Sequence, residues 1–277
     1  MYSIHAPDGT PGLFSSVPLI KRARGYRLYD IKGKRIIDMY QQNGHGILGH
    51  RPFSLTTVLK NTLSRGIIFD LPSIYTHRFK KAVKSTIPGI HTVLVTHSLE
   101  FGLDSLSTIL GFKMTKADIQ DPLTDPCTGP VAFWRPFLED QPIQKWNPQV
   151  LIPILPFSAG GAPVTICFIE KSMQVDENSF PPVSPVLLSG AVRSLYDLKK
   201  YKKPSWCTGD LLKGIKKWKQ RGIYIIPCME KEEYQSIFSK FLDHGVLLSP
   251  YYPCPSIFPG ELSEGELQKV LHLLRTP

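Results

Sequence analysis

The fold of this chain is indicated by Arg22-Ala-Arg-Gly-Tyr-Arg-Leu-Tyr-Asp-Ile-Lys-Gly-Lys-Arg-Ile-Ile-Asp38 and, a few residues later, Gly44-His-Gly-Ile-Leu-Gly-His-Arg-Pro52. The first stretch predicts a β-hairpin, because strand-forming apolar residues lie on both sides of Lys32 and Gly33, and Gly33 can take positive φ. Glycines in the second stretch let the backbone bend tightly or approach another group closely. They are Gly44, Gly46 and Gly49. The residues alone therefore predict a folded lobe and a glycine-rich loop.

The order of these residues resembles the start of class III aminotransferases, the pyridoxal-phosphate (PLP) enzymes that include glutamate-1-semialdehyde aminomutase. The family's G-x-x-L-x-D-x-D-G-x-x-x-x-D pattern and its Gly-His loop are matched by Gly25, Leu28, Asp30, Gly33, Asp38, Gly49, His50 and Pro52. Lys32 stands where the family usually has an acid. We interpret these residues as setting how the chain enters the fold rather than as catalytic groups.

The resemblance implies an α/β protein with the PLP-dependent-transferase fold of type I. Its sheet would be mixed, with helices on both faces. Because the chain has 277 residues and class III enzymes are markedly longer, we expect a reduced large domain over residues 1–181. A small α+β C-terminal domain would follow over residues 182–277, with the N-terminal hairpin packing against it.

The resemblance continues at a phosphate-binding loop. Val93-Leu-Val-Thr96 is an apolar run typical of a parallel strand buried on both faces, and His97-Ser-Leu-Glu-Phe101 follows where the family carries S-G-T-E-A. The resemblance implies that backbone N–H groups of a helix N-terminus would hold the cofactor phosphate here. The helix is predicted by Leu103, Leu106, Ile109 and Leu110. Leu99 and Phe101 replace small residues, so we expect a compromised phosphate site.

The lysine that holds PLP in the family is not found at its expected place. Leu155-Pro-Phe-Ser-Ala-Gly-Gly-Ala-Pro-Val164 resembles the family's K-x-x-G-G-G-x-P segment, and counting back from Pro163 puts Pro156 or Leu155 at the lysine. Neither side chain can form an imine, because Schiff-base chemistry needs an amine. Lys171, just after a predicted strand at 165–169, is the alternative that would have to reach the cofactor.

The family's aspartate for the pyridinium nitrogen is also not found in the stretch between these two landmarks. Residues 111–146 contain many prolines, which predict an irregular segment. Glu139-Asp140 is an acidic pair there, and we interpret it as a solvated loop pair.

The C-terminal third is predicted to alternate helices and strands. A helix is expected over Pro185–Leu198, a strand over Ile223–Ile226 and an amphipathic helix over Tyr234–Leu242 that stops at Gly245. Val246-Leu-Leu-Ser-Pro250 resembles a family strand near the cofactor mouth. Ser263 and Glu266 predict a capping box at a last helix.

Composition limits the expected binding partners of the protein and its expected cellular compartment. Five scattered cysteines suit neither a metal site nor a disulfide framework, and the start of the chain lacks a signal-peptide pattern, so we predict a cytoplasmic protein with no metal. The uncharged stretch 147–169 is interrupted by prolines and glycines, which predicts buried strand and loop, and no membrane partner. A chain of 277 residues with 42% hydrophobic content can bury one large core or two unequal ones.

The net charge of +10 is concentrated in the basic cluster 199–221. Such a cluster could attract nucleic acid, an anionic small molecule or an acidic protein. No dedicated nucleic-acid-binding motif is present, so we do not expect nucleic acid as the partner.

Two functions follow from these observations. The first is a cofactor-free, non-catalytic binding relative of aminotransferases, which would form a homodimer as the family does. The second is a PLP-dependent aminotransferase or aminomutase that uses a displaced lysine, and it ranks lower because the amine is absent. The resemblance places the residues of the cleft, where backbone N–H groups and hydroxyls could bind an anion. They are Gly44, His45, Gly46, His97, Ser98, Glu100, Ser158, Gly160 and Gly161.

Overall fold

The computed structural model describes residues 13–69, 71–123, 128–139, 141–157, 163–169, 180–202 and 211–276. These residues form two compact units. One unit takes the described residues from 53 to 136 and from 141 to 201, and we call it the central unit. The other, the terminal unit, takes residues 13–52, 137–139 and those from 202 onward.

The terminal unit contains a four-stranded sheet. Its strands are β1 (Ile20–Arg24), β2 (Arg27–Asp30), β3 (Arg35–Asp38) and β10 (Val246–Leu247), in that order across the sheet. Strands β2 and β3 are antiparallel, and Gly33 between them has a φ of +85°, so the predicted hairpin is confirmed. The Asp30 carboxylate stabilises the turn, because its Oδ1 accepts hydrogen bonds from the backbone N–H groups of Lys32 and Lys34 at 2.9 and 2.7 Å.

A second, three-stranded sheet and two helices complete the terminal unit. The strands are β8 (Trp218–Arg221), β9 (Tyr224–Pro227) and β11 (Ser256–Ile257), and the helices are α6 (Lys231–Asp243) and α7 (Glu264–Arg275). Helix α6 buries Tyr234, Phe238 and Phe241 in one apolar core with residues of the four-stranded sheet. Both helices and strand β9 agree with the sequence predictions. The capping box of Ser263 and Glu266 is confirmed at the start of α7.

The central unit contains a mixed four-stranded sheet. Its strands are β4 (Thr92–Thr96), β7 (Val164–Phe168), β6 (Val150–Pro153) and β5 (Val131–Trp134), in that order across the sheet. Strand β4 is buried as predicted, but the parallel pairing expected for it is wrong, because it pairs antiparallel with β7. A continuous apolar run reports burial on both faces and carries no information on the direction of the neighbouring strand.

The prediction that residues 111–146 are irregular is wrong in part. The segment contains β5, whose four residues are all buried and which pairs parallel with β6. It also contains the short helix α4 (Pro142–Lys145), with a proline in its first turn where no N–H donor is required. Pro130 and Pro136 lie outside β5 and Pro142 begins α4, so the prolines limit these elements without preventing them.

Four longer helices lie in the described part of the central unit. They are α1 (Phe53–Ser64), α2 (Ile74–Thr86), α3 (Leu99–Leu110) and α5 (Pro185–Lys200). Of these, α2 and α3 contact strands of the central sheet. Helix α3 packs closely on β7, since a Cβ at Gly102 would lie 2.9 Å from the Ile166 Cδ1. Helix α5 packs on α1 and α2, and a buried hydrogen bond of 3.0 Å joins the hydroxyls of Thr62 and Ser189. The domain boundary at 181/182 stays a prediction, and the contacts of α5 lie in the central unit.

Candidate functional site

The glycine-rich loop of the terminal unit is held by a buried carboxylate. Asp38, at the end of β3, accepts hydrogen bonds at Oδ1 from the backbone N–H groups of Tyr40 and Gln41 at 3.0 and 2.9 Å. Its Oδ2 lies 2.7 Å from the His50 Nε2, and both side chains are largely buried. The pair therefore fixes both ends of the loop that contains Gly44, His45 and Gly46.

The loop itself has an uncommon backbone. Gln41, Gln42 and Asn43 have φ values of 43°, 49° and 57°, in the left-handed region that non-glycine residues seldom adopt. Gly44 follows with φ of 112°. A Cβ at Gly46 would lie 3.0 Å from the Gln41 carbonyl oxygen, so this close approach requires glycine. Consecutive strained residues persist only where the surroundings impose them, and such residues concentrate at functional sites.

Aromatic residues pack beside this loop. Tyr40 packs edge-on against Phe14, with ring centroids 5.8 Å apart, and lies 6.2 Å from the Tyr251 ring. Burial, together with the neighbouring Tyr251 and Asp38, raises the pKa of the Tyr40 hydroxyl far above its ordinary value. The phenol therefore stays neutral and cannot serve as a base near neutral pH.

The second predicted part of the cleft lies in the central unit, at the junction of β4 and α3. Ser98 is the N-cap of α3, and its Oγ accepts a hydrogen bond of 3.4 Å from the Phe101 N–H. The Ser98 N–H itself donates to the Thr96 Oγ1 at 3.3 Å. His97 and Glu100 are exposed on either side. Two backbone donors that the resemblance assigns to a cofactor phosphate are thus bonded within the chain.

The two bulky residues at this junction, Leu99 and Phe101, both pack against other apolar side chains. Leu99 is buried in the apolar core of the central unit. The Phe101 ring makes an edge-to-face contact with Phe180, with ring centroids 5.6 Å apart. Both side chains therefore make packing contacts, and the compromised phosphate site stays a prediction.

The position expected for the cofactor lysine is an apolar core position. Leu155 follows β6, is 1% exposed and carries no amine, and Pro156 is buried beside it. The next residue, Phe157, packs beneath Gly190 of α5, where an added Cβ would lie 2.5 Å from its ring. The described residues here do not fit a cofactor that requires a Schiff base.

A buried ion pair lies at the end of β5. Arg135 is 1% exposed, and its guanidinium contacts the Asp121 carboxylate with two nitrogens, Nε at 2.8 Å from Oδ1 and Nη2 beside Oδ2. Of the other carboxylates described between 111 and 146, Asp118 is exposed and bonded to Thr115, and Glu139 is exposed. Asp121, the least exposed of the described carboxylates in this stretch, is therefore paired with a buried arginine.

The remaining predicted residues lie outside the described part of the chain. They are Ser158, Gly160, Gly161 and Lys171. The described members of the predicted cleft form two sets, Gly44 to Gly46 in the terminal unit and His97, Ser98 and Glu100 in the central unit.

Sequence reasoning missed two pairs, Asp38 with His50 and Asp121 with Arg135. Asp38 and His50 both match the family pattern. A carboxylate and an imidazole at two matched positions could have indicated that the side chains pair. Asp121 and Arg135 gave no signal, because their contact depends on where β5 ends.

The described residues set two further limits on the function. Among the described residues, no group of three or more His, Cys, Asp or Glu side chains is placed to bind a metal ion. In the same part of the chain, the helices are too short or too polar to cross a bilayer.

Known proteins that resemble this chain in sequence differ from those that resemble it in fold. No family model matches the sequence. It is 28% identical over 263 residues to an uncharacterized protein of Borreliella burgdorferi, covering 92% of this chain and 89% of that protein. It is 24% identical over 274 residues to an uncharacterized protein of Treponema pallidum, covering 87% and 88%.

Several solved structures that resemble the chain are aminotransferases. An omega-transaminase from Sphaerobacter thermophilus matches with a TM-score of 0.71 and 11% identity, over 93% of this chain and 90% of that one. An ornithine aminotransferase from Plasmodium yoelii matches with 0.67 and 12%, over 93% and 92%. The chain has an aminotransferase-like fold. A β-phenylalanine aminotransferase from Variovorax paradoxus adds a TM-score of 0.69 at 10% identity, over 94% and 88%. The predicted resemblance is confirmed at the level of the fold, and the side chains must decide the activity.

Proposed function

We propose that this protein is a non-catalytic binding relative of the PLP-dependent aminotransferases, which keeps their fold and lacks the amine that holds the cofactor. The observation that carries the proposal is the pair Pro156 and Leu155. The resemblance assigns the lysine position to Pro156, or to Leu155 with a slip of one residue, and both residues are buried. An ε-amino group is required to form a Schiff base with the PLP aldehyde, and neither side chain supplies one.

The pairing of Asp121 supports the proposal. A carboxylate that partners a pyridinium nitrogen must have an acceptor oxygen turned to the ring. Both oxygens of Asp121 contact the Arg135 guanidinium, which is itself shielded from water. Removing a carboxylate from such a pair leaves a buried charge, so the pair favours a structural role for Asp121.

The junction of β4 and α3 supports the same conclusion. Ser98 and Thr96 bond to backbone donors at the start of the helix, and Phe101 takes the space of a small residue. A binding role for the cleft remains part of the proposal, with residual anion binding at Gly44 to Gly46 and at Ser98. The homodimer is also a proposal, and sedimentation equilibrium would measure it.

The experiment is a spectroscopic titration of the purified protein with PLP. We expect no Schiff-base absorption band and no stoichiometric modification after borohydride treatment, because neither Pro156 nor Leu155 supplies an amine at the expected anchor position. A band that borohydride fixes on one lysine would contradict the proposal and support the active enzyme instead.

A pair of variants identifies that lysine if such a band forms. Lys171→Ala should abolish both the band and transaminase turnover if Lys171 is the displaced anchor. Lys231→Ala is the matched control, since Lys231 is an exposed lysine at the start of α6. Loss of the band in both variants would indicate unspecific labelling of surface amines.

A further inference from the structure

The four-stranded sheet of the terminal unit ends in a strand whose outer edge is open. Strand β1 pairs with β2 on one side, and no strand in the described part of the chain pairs with its other side. Four of its five residues are exposed, and Ala23 packs partly against the apolar core. An open strand edge presents backbone N–H and C=O groups that can pair with another extended chain.

The side chains along this edge are basic. Lys21, Arg22 and Arg24 are exposed, and none of the three forms an ion pair with any residue that the structure describes. The Arg22 guanidinium carbon lies 4.2 Å from the centroid of the Tyr29 ring on β2, which holds the side chain against the sheet. The edge therefore carries three positive charges on neighbouring residues without carboxylates to neutralise them.

An exposed apolar pair lies at the start of the same edge. Leu19 is 74% exposed and Ile31 is 60% exposed. They are neighbours, because the Ile31 N–H donates a hydrogen bond of 3.0 Å to the Leu19 carbonyl oxygen. The apolar pair and the basic side chains thus follow one another along one continuous stretch of backbone. We call residues 19–24, together with Ile31, the β1 edge.

These features discriminate between partners. A second copy that paired through its own β1 would place basic side chains opposite basic side chains, and like charges directly opposite destabilise a strand pair. Nucleic acid would satisfy the charges, but it has no peptide groups to pair with the open edge. An extended acidic peptide satisfies both, because its backbone pairs with the edge while its carboxylates meet the three basic side chains.

We propose that the β1 edge binds an extended, acidic segment of a partner protein by strand addition. The segment extends the four-stranded sheet by one strand, and its backbone hydrogen bonds supply affinity. Because successive side chains of a strand alternate between two faces, carboxylates at alternate positions of the segment share the face of Arg22 and Arg24. An apolar residue at one end of the segment covers Leu19 and Ile31. This binding does not depend on whether the protein binds PLP.

The test is fluorescence anisotropy of the purified protein with a labelled synthetic peptide. The acidic peptide alternates Glu and Val over about nine residues, which is long enough to span β1, and has Leu at both ends. A basic peptide carries Lys in place of Glu. We expect saturable binding of the acidic peptide that weakens as salt screens the charges, and no binding of the basic peptide.

The triple variant Lys21→Gln, Arg22→Gln, Arg24→Gln tests the charges of the edge. It should bind the acidic peptide about tenfold more weakly, since each exposed ion pair contributes up to about a fivefold factor. The matched control removes the same charge from exposed lysines elsewhere in the terminal unit and should bind like the parent protein. This control is Lys213→Gln, Lys216→Gln, Lys231→Gln.

A double variant tests the apolar pair. Leu19→Ser, Ile31→Ser should weaken binding of the acidic peptide about tenfold, and should do so at high salt as well, because the loss is one of apolar contact. Far-ultraviolet circular dichroism checks that each variant folds.

Methylated peptides separate strand addition from simple charge attraction and leave the protein unchanged. Methyl groups on the backbone nitrogens of alternate residues remove the N–H donors along one edge of the peptide and keep all of its carboxylates. Two such acidic peptides are compared, each methylated on one of the two alternate sets. We expect one peptide to lose binding, because its methylated edge faces β1, and the other to bind like the unmethylated peptide.

Several results would overturn the proposal. These are absence of binding by the acidic peptide, equal binding of the acidic and basic peptides, and equal weakening by the control triple. Equal binding of the two methylated peptides would show charge attraction without strand addition. A dimer of the parent protein that does not bind the acidic peptide and dissociates in the Leu19 and Ile31 variant would identify β1 as a subunit interface. Salt-sensitive binding to DNA without peptide binding would identify a nucleic-acid surface.

Discussion

Replacing Glu266 with glutamine is expected to weaken the protein mainly above about pH 4.5. Glu266 accepts two hydrogen bonds from the Arg27 guanidinium, from Nε at 2.9 Å and from Nη2 at 2.6 Å. Its Oε2 also accepts from the Ser263 N–H at 2.9 Å. The Arg27 bonds, with further help from Ser263, lower the pKa of the Glu266 carboxyl from 4.5 to about 2.

The magnitude follows from the pKa. A carboxyl whose pKa falls from 4.5 to about 2 on folding stabilises the folded state by up to about 3 kcal/mol when it is charged. Because the folded pKa lies below the unfolded one, this stabilisation is complete above the unfolded pKa of 4.5. It is lost as the pH falls from 4.5 towards 2. Glutamine carries no charge, so the variant lacks this pH dependence.

The assay is urea unfolding of the parent protein and of Glu266→Gln at several pH values. The difference in unfolding free energy should be about 2 to 3 kcal/mol near neutral pH and should shrink towards zero near pH 2. Glu264→Gln, in the exposed first turn of the same helix, is the control and should change stability by less than about 0.5 kcal/mol. A difference that stays constant with pH would refute the reasoning, because it would assign the effect to packing.

Two more predictions concern packing and the buried ion pair. Gly190→Ala should lower stability by about 1–3 kcal/mol in thermal unfolding, because the new Cβ meets a buried ring, whereas Gly265→Ala, with open space around it, should be neutral or slightly stabilising. An unchanged melting temperature for the first variant would mean that α5 can shift. Asp121→Asn should cost about 3–5 kcal/mol in urea unfolding, because Arg135 stays buried without its carboxylate, and Asp118→Asn at an exposed site is the control. Equal effects of the two asparagine variants would contradict the structural role of the ion pair.

Local signals in the sequence predicted much of the fold. Gly33 marked the hairpin turn, Gly245 marked the end of α6, and Ser263 with Glu266 marked the start of α7, because each depends on residues close in sequence. Strand direction could not be predicted in this way. The partner of β4 is β7, about seventy residues later in the chain, and nothing local to Val93–Thr96 specifies which way that partner runs.

The site was predictable where chemistry depends on one residue type. Leu155 or Pro156 at the expected lysine position could be read from the sequence, since neither side chain can become an amine. The Asp121 and Arg135 pair could not, because it depends on β5 bringing Arg135 to a carboxylate fourteen residues earlier. The positive φ values of Gln41 to Asn43 could not be predicted either, because none of these three residues is a glycine.

The most direct test of the non-catalytic function is mass spectrometry of the intact protein taken from cells and reduced with borohydride. We expect the mass of the unmodified chain, because Pro156 or Leu155 at the expected lysine position leaves the cofactor without an anchor. A homogeneous adduct with the added mass of PLP, mapped by peptide sequencing to one lysine, would contradict it.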